Sequence, residues 1–149
     1  MPRVILEEKE AYEFSYDIQV RVSDINAAGH LGNSEIVALV HEARSQFFIA
    51  MGISELNLGD SEHGIILADL LINFRTEAFM GDVLVFKCHI GEYSEKGFRI
   101  FYRISRRGDI IALAETGSVV LNYKERRPSP VPKIFKNIIT EFQKKHDVS

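Results

Sequence analysis

The sequence contains a single cysteine, Cys88, and no tryptophan. One thiol cannot close an internal disulfide, so no cross-linked framework holds this chain and its fold has to rest on a buried core. An excess of either charge is also missing. Eighteen basic residues stand against 21 acidic ones for a formal net charge of −3, and basic runs stop at pairs such as Arg106-Arg107 and Arg126-Arg127. Nothing here makes an electrostatic footprint for nucleic acid, so no nucleic-acid partner is expected. Long hydrophobic runs are absent too. The stretch from Gly64 to Ile72 is broken by Asp69 and falls short of the roughly 20 apolar residues that span a bilayer. The opening MPRVILEEKE is too charged for a secretory leader. The expectation is a soluble, cytoplasmic protein with no membrane partner. Its 149 residues, 46% of them hydrophobic, suit one domain over 1–149 that buries about two-thirds of its unfolded surface.

What the sequence does contain is periodic. Phe14, Tyr16, Ile18, Val20 and Val22 alternate with Ser15, Asp17, Gln19 and Arg21, which predicts a half-buried strand over 14–22. Ile36, Val40, Ala43, Phe47 and Met51 then recur at spacings of four and three, predicting a helix of about five turns. Asn33 or Ser34 is positioned to cap its start, and Gly52 to end it in a left-handed conformation. With Val37 and Phe48 added, the helix is apolar round much of its circumference and is expected to be buried. Four strand-like runs follow, over 65–75, 82–93, 98–105 and 110–123. Glycine-bearing turns near Met80, Ser94 and Arg106 predict consecutive antiparallel hairpins in a meander. Pro128, Pro130 and Pro132 end the ladder, and a short helix over 133–146 closes the chain.

This order implies an α+β fold in which a curved antiparallel sheet wraps around a long central helix, the hot-dog arrangement. Its edge strands carry unpaired backbone groups that pairing across a twofold would cover, so a homodimer is expected.

Between the first strand and the helix lies SDINAAGHLGN, with more hydrogen-bonding groups than a turn or a cap requires. The wider segment VRVSDINAAGHLGNSEIVALVHEAR resembles the signature of the 4-hydroxybenzoyl-CoA thioesterase-like family of hot-dog acyl-CoA thioesterases. The resemblance extends to INFRTEAFMGDVLVFKCHI over 72–90 and to RRPSPVP over 126–132. It implies a homodimer or homotetramer that hydrolyses the thioester of an acyl-CoA or acyl-carrier substrate to free acid and thiol. It also implies no metal and no organic cofactor, the CoA moiety being part of the substrate.

In that family the second acid of a D-x-D pair is the catalytic carboxylate. Here the position is Asn26, and an amide neither accepts a proton at neutral pH nor serves as a good nucleophile. The missing carboxylate has two candidates, Asp24 in the same turn and Glu42 on the helix. Asp24 reads equally as a turn cap and Glu42 as a salt-bridge partner. The amide of Asn26 would then position the water or the thioester carbonyl. His30 either orients substrate or holds the loop, and Gly29 lets the backbone approach the thioester. The backbone N–H of Asn33, at the helix start, is the candidate oxyanion donor. Lys96 and Arg99 are candidate contacts for the CoA phosphates, with plain solvation as the ordinary alternative. His41 reads as a packing or interface residue, and Phe47, Phe48 and Phe74 as candidate walls of an acyl pocket. The alternative function is a non-hydrolytic acyl-CoA-binding hot-dog dimer, because the usual catalytic Asp is Asn26.

Overall fold

In a computed structural model that describes residues 3–148, the first strand, β1 (Phe14–Gln19), presents Phe14, Tyr16 and Ile18 to the core side. It stops short of Val22 because the chain turns there. The Asp24 carboxylate accepts the Arg21 N–H at 2.8 Å and closes a single 3-10 turn over Val22–Asp24.

The central helix, α1 (Asn33–Ala50), buries Ile36, Leu39, Val40, Ala43, Arg44, Phe47 and Phe48. Its other face, with Val37, His41, Glu42 and Ile49, is open in the single chain, so the burial is one-sided. The residue at the cap is Gly32, with no side-chain cap bond, rather than Asn33 or Ser34. The other end is as expected. Gly52 has φ +77, and the N–H groups of Gly52 and Ile53 close back on the carbonyls of Ile49 and Phe48 at 2.9 and 3.0 Å, the glycine-terminated pattern that satisfies orphan carbonyls.

The strands β2 (His63–Phe74), β3 (Val83–Gly91), β4 (Gly97–Arg106), β5 (Asp109–Asn122) and the short β6 (Arg127–Pro128) complete one antiparallel sheet. Its order is β1-β3-β4-β5-β2, with β6 beside β5. The β3-β4-β5 part is the expected meander, but β2 and β3 do not form a hairpin. β2 lies on the far edge beside β5, while β3 pairs with β1. The glycine turn before β3 does form, but Gly81 donates to the Val20 carbonyl at 2.8 Å, tying the turn to β1. Residues 75–82 therefore cross one end of the sheet. Leu31 N–H donates to Ala78 O at 2.8 Å, and Arg106 Nη1 donates to Glu77 O at 3.1 Å and Asp82 Oδ2 at 2.7 Å.

The inner face of the sheet, carrying Phe86, Ile90, Ile100, Ile104 and Val120, closes on α1 to make the core. The C-terminal helix α2 (Lys133–Lys145) seals the side, with the Phe135 ring 4.9 Å from Phe98 and 6.1 Å from Phe48. Burying each such ring contributes about 1.5–3 kcal/mol. Among the described residues no helix is long and apolar enough to cross a membrane.

Candidate active site

The polar loop between β1 and α1 is built on its own side chains. Asn26 Oδ1 accepts the N–H groups of Ala28 at 3.0 Å and His30 at 3.3 Å, an Asx turn. This uses the carbonyl end of the amide and leaves Nδ2 without a partner among the described residues. Gly29 sits at φ +85 with open space where a Cβ would stand, so the constraint there is conformational rather than steric.

Asp24 is buried beneath the loop. Its carboxylate takes the Arg21 N–H and both Nε and Nη2 of the same residue at 2.8, 3.2 and 3.1 Å. Burial works to raise its pKa, but the Arg21 hydrogen bonds outweigh it and hold the carboxyl below the usual range. The carbonyl of Asp24 accepts the Gly32 N–H at 3.1 Å, which ties the loop to the helix start. The backbone N–H groups of Asn33, Ser34 and Glu35, in the first turn of α1, have no backbone partner among the described residues.

Beside that turn lies a cavity of about 170 Å³ lined by Asn33, His30, Ile36, Phe74, Thr76 and Ile111, among others. The crossing segment over 75–82 forms one wall. His30 stands at its rim with Nδ1 3.3 Å from the Leu31 carbonyl and Nε2 3.8 Å from Glu77 Oε1. Of the three candidate wall aromatics, Phe74 lines this cavity while Phe47 and Phe48 are fully buried in the core.

Glu42 is not part of this group. It lies on the open face of α1, where Gln46 Nε2 donates to it at 2.8 Å. His41, on the same face, has Nε2 3.4 Å from Glu55 Oε2. Lys96 and Arg99 come together in an open groove of about 270 Å³, with Asp69, Gly117 and Ser118 in its walls. The guanidinium of Arg99 is engaged there, bidentate to Asp69 at 2.8 and 2.7 Å and through Nε to Glu115 at 2.6 Å. The Ser118 hydroxyl is a buried polar group without a hydrogen-bond partner. The groove is far from the cavity within one chain. Lys96 lies beside Val119 and the cavity beside Ile111, about 26 Å along β5 at roughly 3.3 Å per residue.

One acid of the first helical turn stands out only in three dimensions. Glu35 is half-buried, makes no hydrogen bond or ion pair among the described residues, and folds back over Gly32. A Cβ on Gly32 would collide with Glu35 Oε1 and would lie 3.4 Å from the Cβ of Asn26. The spacing alone presents Glu35 as a helix-capping acid. Its carboxylate and the Cβ of Asn26 both border the space that Gly32 leaves open.

Asp60, Glu62 and His63 offer ligand-type atoms within 4.8 Å of one another. Asp60 is already engaged, with Oδ2 2.6 Å from His63 Nδ1 and Oδ1 accepting the N–H groups of Glu62 and His63 at 2.9 and 3.0 Å. His63 Nε2 in turn lies 3.0 Å from Ser129 Oγ. The cluster ties the loop before β2 to the proline-rich segment after β6.

The sequence profile of the thioesterase-like superfamily matches residues 20–139, from the start of the polar loop into α2. The chain belongs to this superfamily. A 1,4-dihydroxy-2-naphthoyl-CoA hydrolase of Synechococcus elongatus is 26% identical over 124 residues, 81% of this chain and 90% of that protein. One from Acaryochloris marina is 30% identical, covering 79% of this chain and 89% of its own. Among solved structures, a 1,4-dihydroxy-2-naphthoyl-CoA thioesterase from Synechocystis superposes with a TM-score of 0.77 at 26% identity, over 86% of this chain and 96% of that one. A gentisyl-coenzyme A thioesterase shares the fold at a TM-score of 0.74 and 21% identity, over 85% and 99% of the two chains. These matches identify the sheet wrapped around α1 as the hot-dog fold of acyl-CoA thioesterases.

Proposed function

We propose that this protein hydrolyses an aromatic acyl-CoA thioester to the free acid and CoA thiol at the start of α1. The observation that carries the reading is the set of unpartnered N–H groups at Asn33, Ser34 and Glu35, opening beside a cavity with Ile36, Phe74 and Ile111 in its walls. Thioester hydrolysis passes through a tetrahedral intermediate whose oxygen carries negative charge. Free N–H donors at the positive end of a helix stabilise that charge without reorganising. The Asn33 N–H polarises the carbonyl, a carboxylate at this end of the helix draws the proton from the attacking water, and the acyl group lies against the apolar wall. His30 and Gly29 hold the loop in the shape that leaves room for the thioester. An aromatic acyl group is supported by the relatives named for 1,4-dihydroxy-2-naphthoyl-CoA and by Thr76, Arg75 and Glu77 at the cavity, which suit ring hydroxyls.

The working unit in this reading is a homodimer paired through β2. One side of β2 pairs with β5 and the other carries no strand among the described residues, and Ile66 and Leu67 of β2 are exposed. Antiparallel pairing of two β2 edges covers both and reverses one chain against the other. The Lys96 groove of one copy then approaches the cavity of its neighbour, where a CoA phosphate would need a cation.

A second reading follows from Asn26. With its carbonyl oxygen closed into the Asx turn, the residue supplies no base, and a dimer that binds acyl-CoA without cleaving it would keep everything else. Both readings meet in one experiment, in which thiol release and thermal shift are measured with 1,4-dihydroxy-2-naphthoyl-CoA, benzoyl-CoA and long-chain acyl-CoAs. Turnover fastest on the aromatic thioesters is expected. A thermal shift without turnover establishes the binding module, and neither effect overturns both readings. Asn33→Pro removes the proposed donor at a helical position that tolerates proline. With dimer and circular dichroism unchanged, it is expected to lower turnover by roughly 100- to 1000-fold. Wild-type turnover in the folded variant would place carbonyl polarisation elsewhere.

A further inference from the structure

We propose that Glu35 is the general base of this hydrolysis, seated by the missing side chain of Gly32 in the place left by the amide at position 26. The inference rests on the reading of the protein as a thioesterase and names the carboxylate that reading requires.

Three acids are close enough in sequence to serve. Asp24 is bound three ways by Arg21 beneath the loop, so drawing a proton from water would cost it those bonds. Glu42 lies seven residues beyond Glu35, about 10 Å along the helix axis, and accepts from Gln46. Glu35 alone combines a position in the first helical turn, partial burial and a carboxylate with no partner among the described residues.

Gly32 provides the second, independent observation. Its dihedrals, φ −75 and ψ 154, are open to any residue, so the backbone does not call for glycine. The room it leaves is taken by the Glu35 carboxylate, which a Cβ at this position would meet, with the Cδ atom 2.9 Å away, so any larger residue would make the Glu35 side chain swing aside. The same Cβ would touch Asn26. Three residues are thus joined at one point: an amide at position 26, a glycine that opens the gap, and a glutamate that fills it. Asn26 Nδ2 has no partner among the described residues and, as a donor, suits either the carboxylate or the water.

In the reaction, Glu35 accepts a proton from water as the water oxygen bonds to the thioester carbon. The carbonyl electrons move onto oxygen, where the Asn33 N–H meets them. Collapse breaks the C–S bond, and the proton on Glu35 passes to the departing sulfur. Thiol and free acid leave, and the carboxylate is restored. No other reactant is needed.

The test uses the full-length protein and 1,4-dihydroxy-2-naphthoyl-CoA, or the best thioester found in the panel above. Glu35→Gln is expected to lower kcat by at least about 100-fold, with KM within about threefold and the melting temperature unchanged. Asn26→Asp in the Glu35→Gln background returns a carboxylate to the neighbouring position and is expected to recover at least about 10-fold of that loss. Gly32→Ala displaces the Glu35 side chain without removing it and is expected to lower kcat but to add little to Glu35→Gln. Glu35→Gln turning over within threefold of wild type overturns the assignment and leaves hydrolysis standing. A loss that tracks a fall in melting temperature and is not recovered by Asn26→Asp also overturns it, as a purely structural effect. A wild-type protein that cleaves no thioester removes the thioesterase reading, and this inference with it.

Discussion

In the middle of α1, Arg44 is only 6% exposed, and its guanidinium donates to Glu55 at 2.8 Å and to the Tyr102 hydroxyl at 3.4 Å. Tyr102 passes the chain on to Thr116 at 2.8 Å, across the core onto β5. Burial pushes the Tyr102 hydroxyl up to about 12, so it remains a neutral link at any physiological pH. About two and a half turns earlier, Glu35 has no partner among the described residues and stands beside an amide and three unpartnered N–H groups. The same helix holds one ion that is buried and paired and one that is left open. A buried charge bonded to a loop acid and to a core tyrosine ties the helix to the sheet behind it. An unpartnered carboxylate at a helix start is held by the positive end of the helix rather than by a fixed partner, and is therefore available to a substrate.

The strongest way to break this comparison is at Arg44. Arg44→Met keeps the aliphatic bulk but leaves Glu55 and the Tyr102–Thr116 pair without their cation. We expect a loss of about 3 kcal/mol in chemical denaturation, with turnover per folded molecule preserved. A loss below about 1 kcal/mol would show that water and the neighbouring His41, 3.4 Å from Glu55, already satisfy this acid, and that the network carries less of the fold than its bonds suggest.

A smaller effect is expected at Asp24, which belongs to the structural kind although it lies in the loop of the candidate site. Its folded-state pKa lies below the ordinary value. The stabilisation is therefore complete above the unfolded pKa of about 3.9 and is lost as pH falls through the lower folded value. Asp24→Asn keeps an acceptor for the Arg21 N–H and removes the charge. We expect it to cost about 1–2 kcal/mol at pH 7 and to flatten the decline in denaturation midpoint below about pH 4. An acid limb identical to that of the wild type would assign the pH dependence to Asp60, Asp69 and Asp82 instead, whose carboxyls are also held low.

Much of this division is legible in the sequence, and the exceptions share a cause. Alternation along Phe14 to Ile18 and the four-and-three spacing from Ile36 to Phe47 follow directly from which side of each element meets the core, so periodicity reveals them. The place of β2 on the far edge does not follow from local chemistry. The turn at Met80–Asp82 has hairpin residues, but Gly81 bonds to Val20 rather than closing β2 on β3, and that choice is made by β1. The crossing segment this creates is a wall of the candidate site, so the topology hardest to read is the part that builds the cavity. Glu35 is hidden for a related reason. Its meaning lies in a side chain that Gly32 does not have, and a glycine with ordinary dihedrals reads in sequence as a flexible spacer.

The smallest expected effect separates the two acids that α1 carries about two turns apart. Glu42 is exposed and, among the described residues, paired only with Gln46, one turn along the same helix, and an i,i+4 pair of this kind contributes about 0.2–0.5 kcal/mol. Glu42→Gln keeps length and shape and still accepts a hydrogen bond, so stability is expected to change by less than about 0.5 kcal/mol. Its effect on kcat is expected to stay within a few-fold, far below that of Glu35→Gln, because it lies about 10 Å along the axis from the first turn. The comparison has to be made at one fixed oligomeric state, since the open face of α1 that carries Glu42 also carries the exposed apolar residues Val37 and Ile49. If Glu42→Gln instead lowers kcat as far as Glu35→Gln does, with KM and melting temperature held, the base belongs on the open face of the helix. The unpartnered acid of the first turn is then a helix-terminal charge and nothing more.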